Sequence, residues 1–145
     1  MTTEEQGAFK SGDVDIAYRL FGKTGRTPVA IVHGLSFFSY DWIEQAGALA
    51  VDRQVAAMDM RGFGDSGWTT DYAGPAGAGD IVGLLDQLGW RQAILIGHSM
   101  GGRNSTYCAA TNPDRITSLI LVDWSPENAP GGAKRVSHAV AGTPD

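Results

Sequence analysis

A serine hydroxyl does chemistry only where it is held exposed, beside groups that can steady a negative oxygen, and Ser99 has that setting. It stands in Gly97-His98-Ser99-Met100-Gly101-Gly102, between a short apolar run and a helix-compatible stretch. A sharp strand-to-helix turn with this G-x-S-x-G spacing lifts the hydroxyl to the top of a sheet, and the small flanking residues avoid collision. The helix start behind it supplies amide donors and a positive dipole end where an oxyanion would form. The other job for a serine at this point is to cap the helix.

A serine needs a base to take its proton, and that base is normally a histidine oriented by a carboxylate. The chain has three histidines. His33 and His98 precede Ser99, and the side chain of His98 is expected to point away from the serine hydroxyl. His138 follows Ser99, but in a Gly- and Pro-rich tail with no strand before it. Asp123 ends the apolar run after the serine's helix, so it is a candidate acid; its other reading is a turn or cap aspartate.

The elements that must position these groups alternate along the chain. A hairpin is expected over Gly7–Leu20 around Ser11-Gly12-Asp13, then a strand at Pro28–Val32 ending on His33-Gly34. A helical pattern covers Asp41–Ala50, and a short strand Gln54–Met58. Ile81, Leu84, Leu85 and Leu88 share one helical face from Asp80 to the stop at Gly89. The runs Ala93–Ile96 and Ile116–Val122 read as buried strands, with a helix over Met100–Thr111 closed by Asn112-Pro113. Strands alternating with helices after a hairpin predict an α/β fold, a mostly parallel sheet with helices on both faces. Ligand sites of such sheets lie beyond the carboxyl ends of the strands. His33-Gly34, Gly97-His98-Ser99 and Asp123 all fall there.

With these pieces in order, the sequence resembles the serine branch of the α/β-hydrolase fold family. Four segments carry the resemblance: Val32-His33-Gly34, Asp59-Met60-Arg61-Gly62-Phe63-Gly64-Asp65-Ser66, the turn at Ser99, and Leu119–Asp123. It implies that the backbone amides of Leu35 and Met100 form the oxyanion hole. It also implies that Asp59–Ser66 is a structural turn rather than a source of catalytic groups. Dehalogenases and epoxide hydrolases of the family carry aspartate where Ser99 stands, so the serine implies acyl transfer. In the family the chain continues through a lid, two further strands and a loop bearing the histidine. By that comparison residues 1–145 are the N-terminal part of one core, incomplete in this chain. Residues 124–145 form a tail leading toward a lid, and the remainder of the fold is expected as a separate or missing chain. Without it, the strand ending near Asp123 is expected to present an apolar edge that pairs with its complement.

Past the oxyanion residue lies an aromatic cluster. Phe37 and Phe38 are candidates to line an apolar substrate pocket, joined by Trp124 beside Asp123, while Trp42 reads as a core anchor of the following helix. The expected activity is hydrolysis of a small, fairly apolar ester, lactone or amide through an acyl-enzyme on Ser99, with no cofactor and no metal. Carbon–carbon bond hydrolysis, a cofactor-free haloperoxidase reaction, and a catalytically silent fragment or binding module are the alternatives. Composition is ordinary for a soluble globular protein: 43% of residues are hydrophobic and 19% charged. A formal net charge of −5 disfavours nucleic acid and anionic membranes as partners. No secretory signal and no membrane span is visible, so a cytoplasmic location is expected. Cys108 stands alone, without metal-ligand spacing.

Overall fold

A computed structural model of the protein describes residues 3–126. The tail from 127 onward, with His138 and the Lys134-Arg135 pair, lies outside the described residues. Strands β1 (Glu4–Ser11) and β2 (Val14–Phe21) form the hairpin. Then come β3 (Arg26–Val32), a 3₁₀ turn at Ser39–Trp42, α1 (Ile43–Leu49) and β4 (Arg53–Met58). The helix α2 (Gly74–Gln87), strand β5 (Ala93–His98), helix α3 (Met100–Thr111) and strand β6 (Ile116–Val122) complete the described chain.

The six strands make one sheet in the order β1-β2-β4-β3-β5-β6. The hairpin joins antiparallel through β2 against β4, and β4, β3, β5 and β6 run parallel. Alternation along these strands sorts their side chains onto two faces. Ala30, Val32, Ala56, Met58 and Leu95 pack with Ile81, Leu84 and Leu85 of α2 and Cys108 of α3. The intervening Val29, Ile31, Val55 and Ala57 pack with Ala46 and Ala50 of α1, with Ile94 and Ile96 partly buried against them. The expected parallel sheet with helices on both faces is therefore present.

The hairpin and α2 extend furthest beyond what the sequence predicts, while β3, β4 and β5 are longer by one or two residues. The hairpin begins at Glu4, because an edge strand facing water tolerates polar Glu4-Glu5-Gln6 while its backbone pairs with β2. The helix α2 begins six residues before Asp80, at Gly74-Pro75-Ala76-Gly77. Proline is accepted in the first turn, where its missing N–H is not needed. The two glycines leave room for α3: a Cβ on Gly74 would meet the Tyr107 ring at 2.4 Å, and one on Gly77 the Asn104 amide at 2.2 Å.

At the far end, β6 pairs only with β5 among the described strands. Ile120 and Val122 are exposed on the α1 side of the sheet. There Ile120, Ile94, Ile96 and Val29 border an apolar depression of about 400 Å³ beside α1.

The turn after β4 is tied down by charge. Arg61 Nε and a terminal guanidinium nitrogen each donate to the Asp80 carboxylate of α2 at 2.7 Å. Asp80 is 1% exposed and the arginine side chain 11%. Those two hydrogen bonds hold the guanidinium pKa above its ordinary value. Breaking a buried pair from one side leaves a charge without compensation, whereas replacing both partners by apolar groups is often neutral. Arg61→Met is expected to cost about 3–5 kcal/mol in urea unfolding. The double variant Arg61→Met/Asp80→Leu is expected to recover most of that loss.

Candidate active site

The site starts from a backbone conflict. Strand β5 ends at His98 and α3 begins at Met100, so a single residue must reverse the chain. Ser99 does so with φ 52 and ψ −116, a conformation that L residues rarely adopt. Its N–H donates to Val122 O at 3.0 Å, and its carbonyl accepts from Gly102 and Arg103 N–H at 2.8 and 3.2 Å. The side chain caps no helix N–H. The capping role is therefore not what this serine performs.

The turn fits only because the preceding strand end comes very close. A Cβ on Gly101 would lie 2.2 Å from Val32 O and 2.3 Å from His33 O. A Cβ on Gly34 would lie 2.7 Å from His98 Nδ1 and 3.1 Å from Ser99 Cβ. The His-Gly loop and the serine turn are thus in backbone contact across neighbouring parallel strands β3 and β5. Leu35 and Met100, the expected oxyanion donors, directly follow these two segments. Neither N–H donates to another described residue.

Below the loop, His33 acts as a bracket. Its Nε2 accepts from Met60 N–H at 2.8 Å, which fixes the proton on Nδ1, and Nδ1–H donates to Gly34 O at 2.7 Å. Asp59 holds the same region from the other side. One carboxylate oxygen accepts from Ser39 N–H at 2.6 Å and the other from Asp65 N–H at 2.9 Å. Ser66 Oγ–H donates to Asp59 O at 2.7 Å and accepts from Ala17 N–H at 2.9 Å. The segment Asp59–Ser66 is a structural brace, and the Asp59 carboxylate is occupied by backbone donors.

The aromatic cluster divides. Phe37 meets His98 edge-on, with ring centroids 5.6 Å apart. Trp42 meets the same imidazole at 5.9 Å and also packs on the α1-side core. Phe37, Trp42 and His98, with Asp41 and Gln45, line a small cleft of about 140 Å³. Phe38 instead stacks on Tyr40, whose ring faces the Arg19 guanidinium. Trp124 lies against the first turn of α3: a Cβ on Gly102 would be 2.9 Å from Trp124 Cβ. The motifs mark His98 only as a neighbour of the serine, and its central place in this cluster is not legible from them. The available signal is strand alternation, which sets it on one face with Ile94 and Ile96.

Asp123 follows β6 with φ 52 and is exposed. No described histidine hydrogen-bonds either Asp123 or Ser99. Cys108 contributes no nucleophile, since burial pushes its thiol pKa up to about 11.

Burial lowers the His33 pKa below 6.5. The folded chain therefore binds this proton less readily than the unfolded one, so acid favours unfolding. The contribution of His33 to stability is complete above pH 6.5, falls as pH drops through that value, and levels off below the folded-state pKa. Urea melts between pH 8 and 5 are expected to show this slope. His33→Ala is expected to abolish its share while costing about 2–5 kcal/mol at pH 8, because Met60 N–H and Gly34 O lose their partner.

Comparison with known proteins places this arrangement. Residues 27–145 match the model of the alpha/beta hydrolase fold family. The mouse sn-1-specific diacylglycerol lipase ABHD11 is 33% identical over 121 residues, 81% of this chain and 39% of the lipase. Mouse epoxide hydrolase 4 is 30% identical over 118 residues, 79% of this chain and 33% of that protein. Among solved structures, an alpha/beta hydrolase from Novosphingobium aromaticivorans superposes with a TM-score of 0.87 at 33% identity, over 98% of this chain and 52% of that one. The chain thus spans about half of the solved hydrolase and less of the two curated relatives. No helix among the described residues is long and apolar enough to cross a membrane. The family match over residues 27–145 is decisive: this chain belongs to the α/β-hydrolase fold family.

Proposed function

We propose that the protein is a serine hydrolase that cleaves a small, fairly apolar ester, lactone or amide through an acyl-enzyme on Ser99. The observation that carries this is the strained backbone of Ser99 at the β5–α3 reversal, with a hydroxyl that caps nothing. Strain of this kind, on the order of 1–3 kcal/mol, persists where the surrounding structure enforces it, and it clusters at functional sites.

The relatives include a lipase and an epoxide hydrolase, and elementary chemistry chooses between them. Serine attack on an ester gives a new ester, which water can cleave. Serine attack on an epoxide gives an ether, which water does not release. A side-chain oxygen that opens an epoxide covalently and is then freed by water must therefore be a carboxylate, and the residue at this turn, Ser99, offers a hydroxyl.

In the proposed cycle a histidine removes the Ser99 proton as Oγ bonds to the carbonyl carbon. The amides of Leu35 and Met100 hold the resulting oxyanion, worth about 10²–10³ in rate per donor. Collapse expels the alcohol or amine with the proton from the histidine, and water then releases the acid. Asp123 is the candidate to orient that histidine. The histidine itself, and the segment that covers the open edge of β6, come from polypeptide outside the described residues. Phe37 and Trp124 offer the apolar surface near the acyl group.

The test is intact-mass spectrometry after treatment with a fluorophosphonate, which loses fluoride as phosphorus bonds to an activated serine oxygen. The expected result is a single adduct, absent in Ser99→Ala. A second polypeptide in the same spectrum would identify where the base resides. No adduct on the natively purified protein would overturn the hydrolase reading and leave only the fold.

A further inference from the structure

We infer that His98 is a positioning residue: its ring is the spacer that sets the Gly34–Phe38 loop, and with it the Leu35 amide, at the proper distance from Ser99. This role is one of shape and needs neither ring nitrogen. It rests on the reading of Ser99 as the nucleophile.

Four observations converge on it. The imidazole follows Ile94 and Ile96 on the α1 side of the sheet, so the chain turns Ser99 away from it at the next residue. Its Nδ1 lies so close to Gly34 that no side chain fits between, and the same glycine abuts Ser99 Cβ. Phe37, near the far end of the loop, meets the imidazole edge-on, and Trp42 at the start of α1 meets the same ring at 5.9 Å. Neither ring nitrogen hydrogen-bonds a described residue. Among the described residues it is held by packing against Gly34, Phe37 and Trp42, as a flat body of fixed size.

The far end of the loop is tied at Phe38, whose N–H donates to the Asp41 carboxylate at 3.0 Å and whose carbonyl accepts from Asp41 N–H at 3.1 Å, so the stretch left to be set is Leu35–Phe37. Phe37 N–H closes a turn onto Gly34 O at 3.2 Å, and Ser36 within it has φ 65. His33 pins Gly34 O from beneath. Among the described residues, the ring that Phe37 meets is that of His98. Without it, Phe37 can drop into the small cleft beside Trp42 and draw Leu35 with it. An oxyanion donor displaced by about 1 Å loses much of its effect on the transition state and little on substrate binding.

The measurements use the natively purified protein and compare His98→Ala with His98→Phe. Turnover of p-nitrophenyl acetate is normalised to the serine titrated by fluorophosphonate, so that misfolded molecules drop out. For His98→Ala the expected result is a kcat about 10- to 100-fold lower with KM within about twofold, and for His98→Phe recovery to near the parent value. Crystal structures of both variants give a second reading, independent of turnover. The Leu35 N to Met100 N separation is expected to change by more than about 0.5 Å in His98→Ala and to be kept in His98→Phe. An unchanged kcat in His98→Ala, or equal loss in both variants, would overturn the inference. The second outcome would assign the role to a ring nitrogen. If the parent protein takes up no phosphonate, the hydrolase reading fails by itself, and the two structures still decide whether His98 sets the loop.

Discussion

One residue has to turn the chain from β5 into α3, and almost everything at the top of the sheet accommodates that demand. Ser99 can hold φ 52 and ψ −116 only if its own N–H and C=O are both satisfied, which Val122 O and the Gly102 and Arg103 amides accomplish. It also requires α3 to start pressed against the end of β3, where Gly101 leaves no room for a side chain. The same closeness brings the loop after β3 to the serine. The contact that makes the turn possible also brings the Ser99 hydroxyl beside the segments that carry the Leu35 and Met100 amides, so the turn and the packing are one feature here.

Beneath that contact lies a brace of buried polar groups with few spare valences. His33 joins Gly34 to Met60, Asp59 gathers Ser39 and Asp65, and Ser66 ties Asp59 O to Ala17. Arg61 carries the brace to α2 through Asp80. Each group is bonded at both ends, which is the condition under which buried polarity rigidifies rather than destabilises. The loop after β3 is thus held from below by β4 and its turn. Its upper half depends on the rings of Phe37, His98 and Trp42.

The local features of this fold were legible in the sequence, and the contacts between distant segments were not. The bounds of α3 and β6 agree with expectation because Ser99 and Asn112-Pro113 punctuate the chain by themselves. The first turn of α2 escaped because Gly74-Pro75-Ala76-Gly77 has the composition of a loop, and only the approach of Tyr107 and Asn104 explains it as helix. Ser99 stood out by its G-x-S-x-G spacing at a strand end, where ligand sites of parallel sheets lie, whereas Leu35 and Met100 were named only through the resemblance to the α/β-hydrolase family. The bracket formed by His33 depends on Met60, 27 residues away, and no local pattern encodes that partner. The split between Phe37 and Phe38 likewise follows from Tyr40 and His98, which pull adjacent rings to different neighbours.

Strain gives a view of the site that does not depend on motifs. Among the described non-glycine residues, only Ser36, Ser99 and Asp123 have positive φ. They lie beyond β3, β5 and β6, three neighbouring parallel strands. Such conformations need support from packing, and the support is uneven. Ser36 stands in a turn closed by a hydrogen bond and floored by the His33 bracket, and Ser99 is locked by backbone bonds on both sides. Asp123 is exposed, on a strand whose outer edge meets no described partner, with Trp124 against α3 as the neighbouring anchor. A segment that paired with the outer edge of β6 would therefore bear on the joint at Asp123. Covering that edge and fixing the carboxylate beyond it are coupled, because both run through the same seven-residue strand.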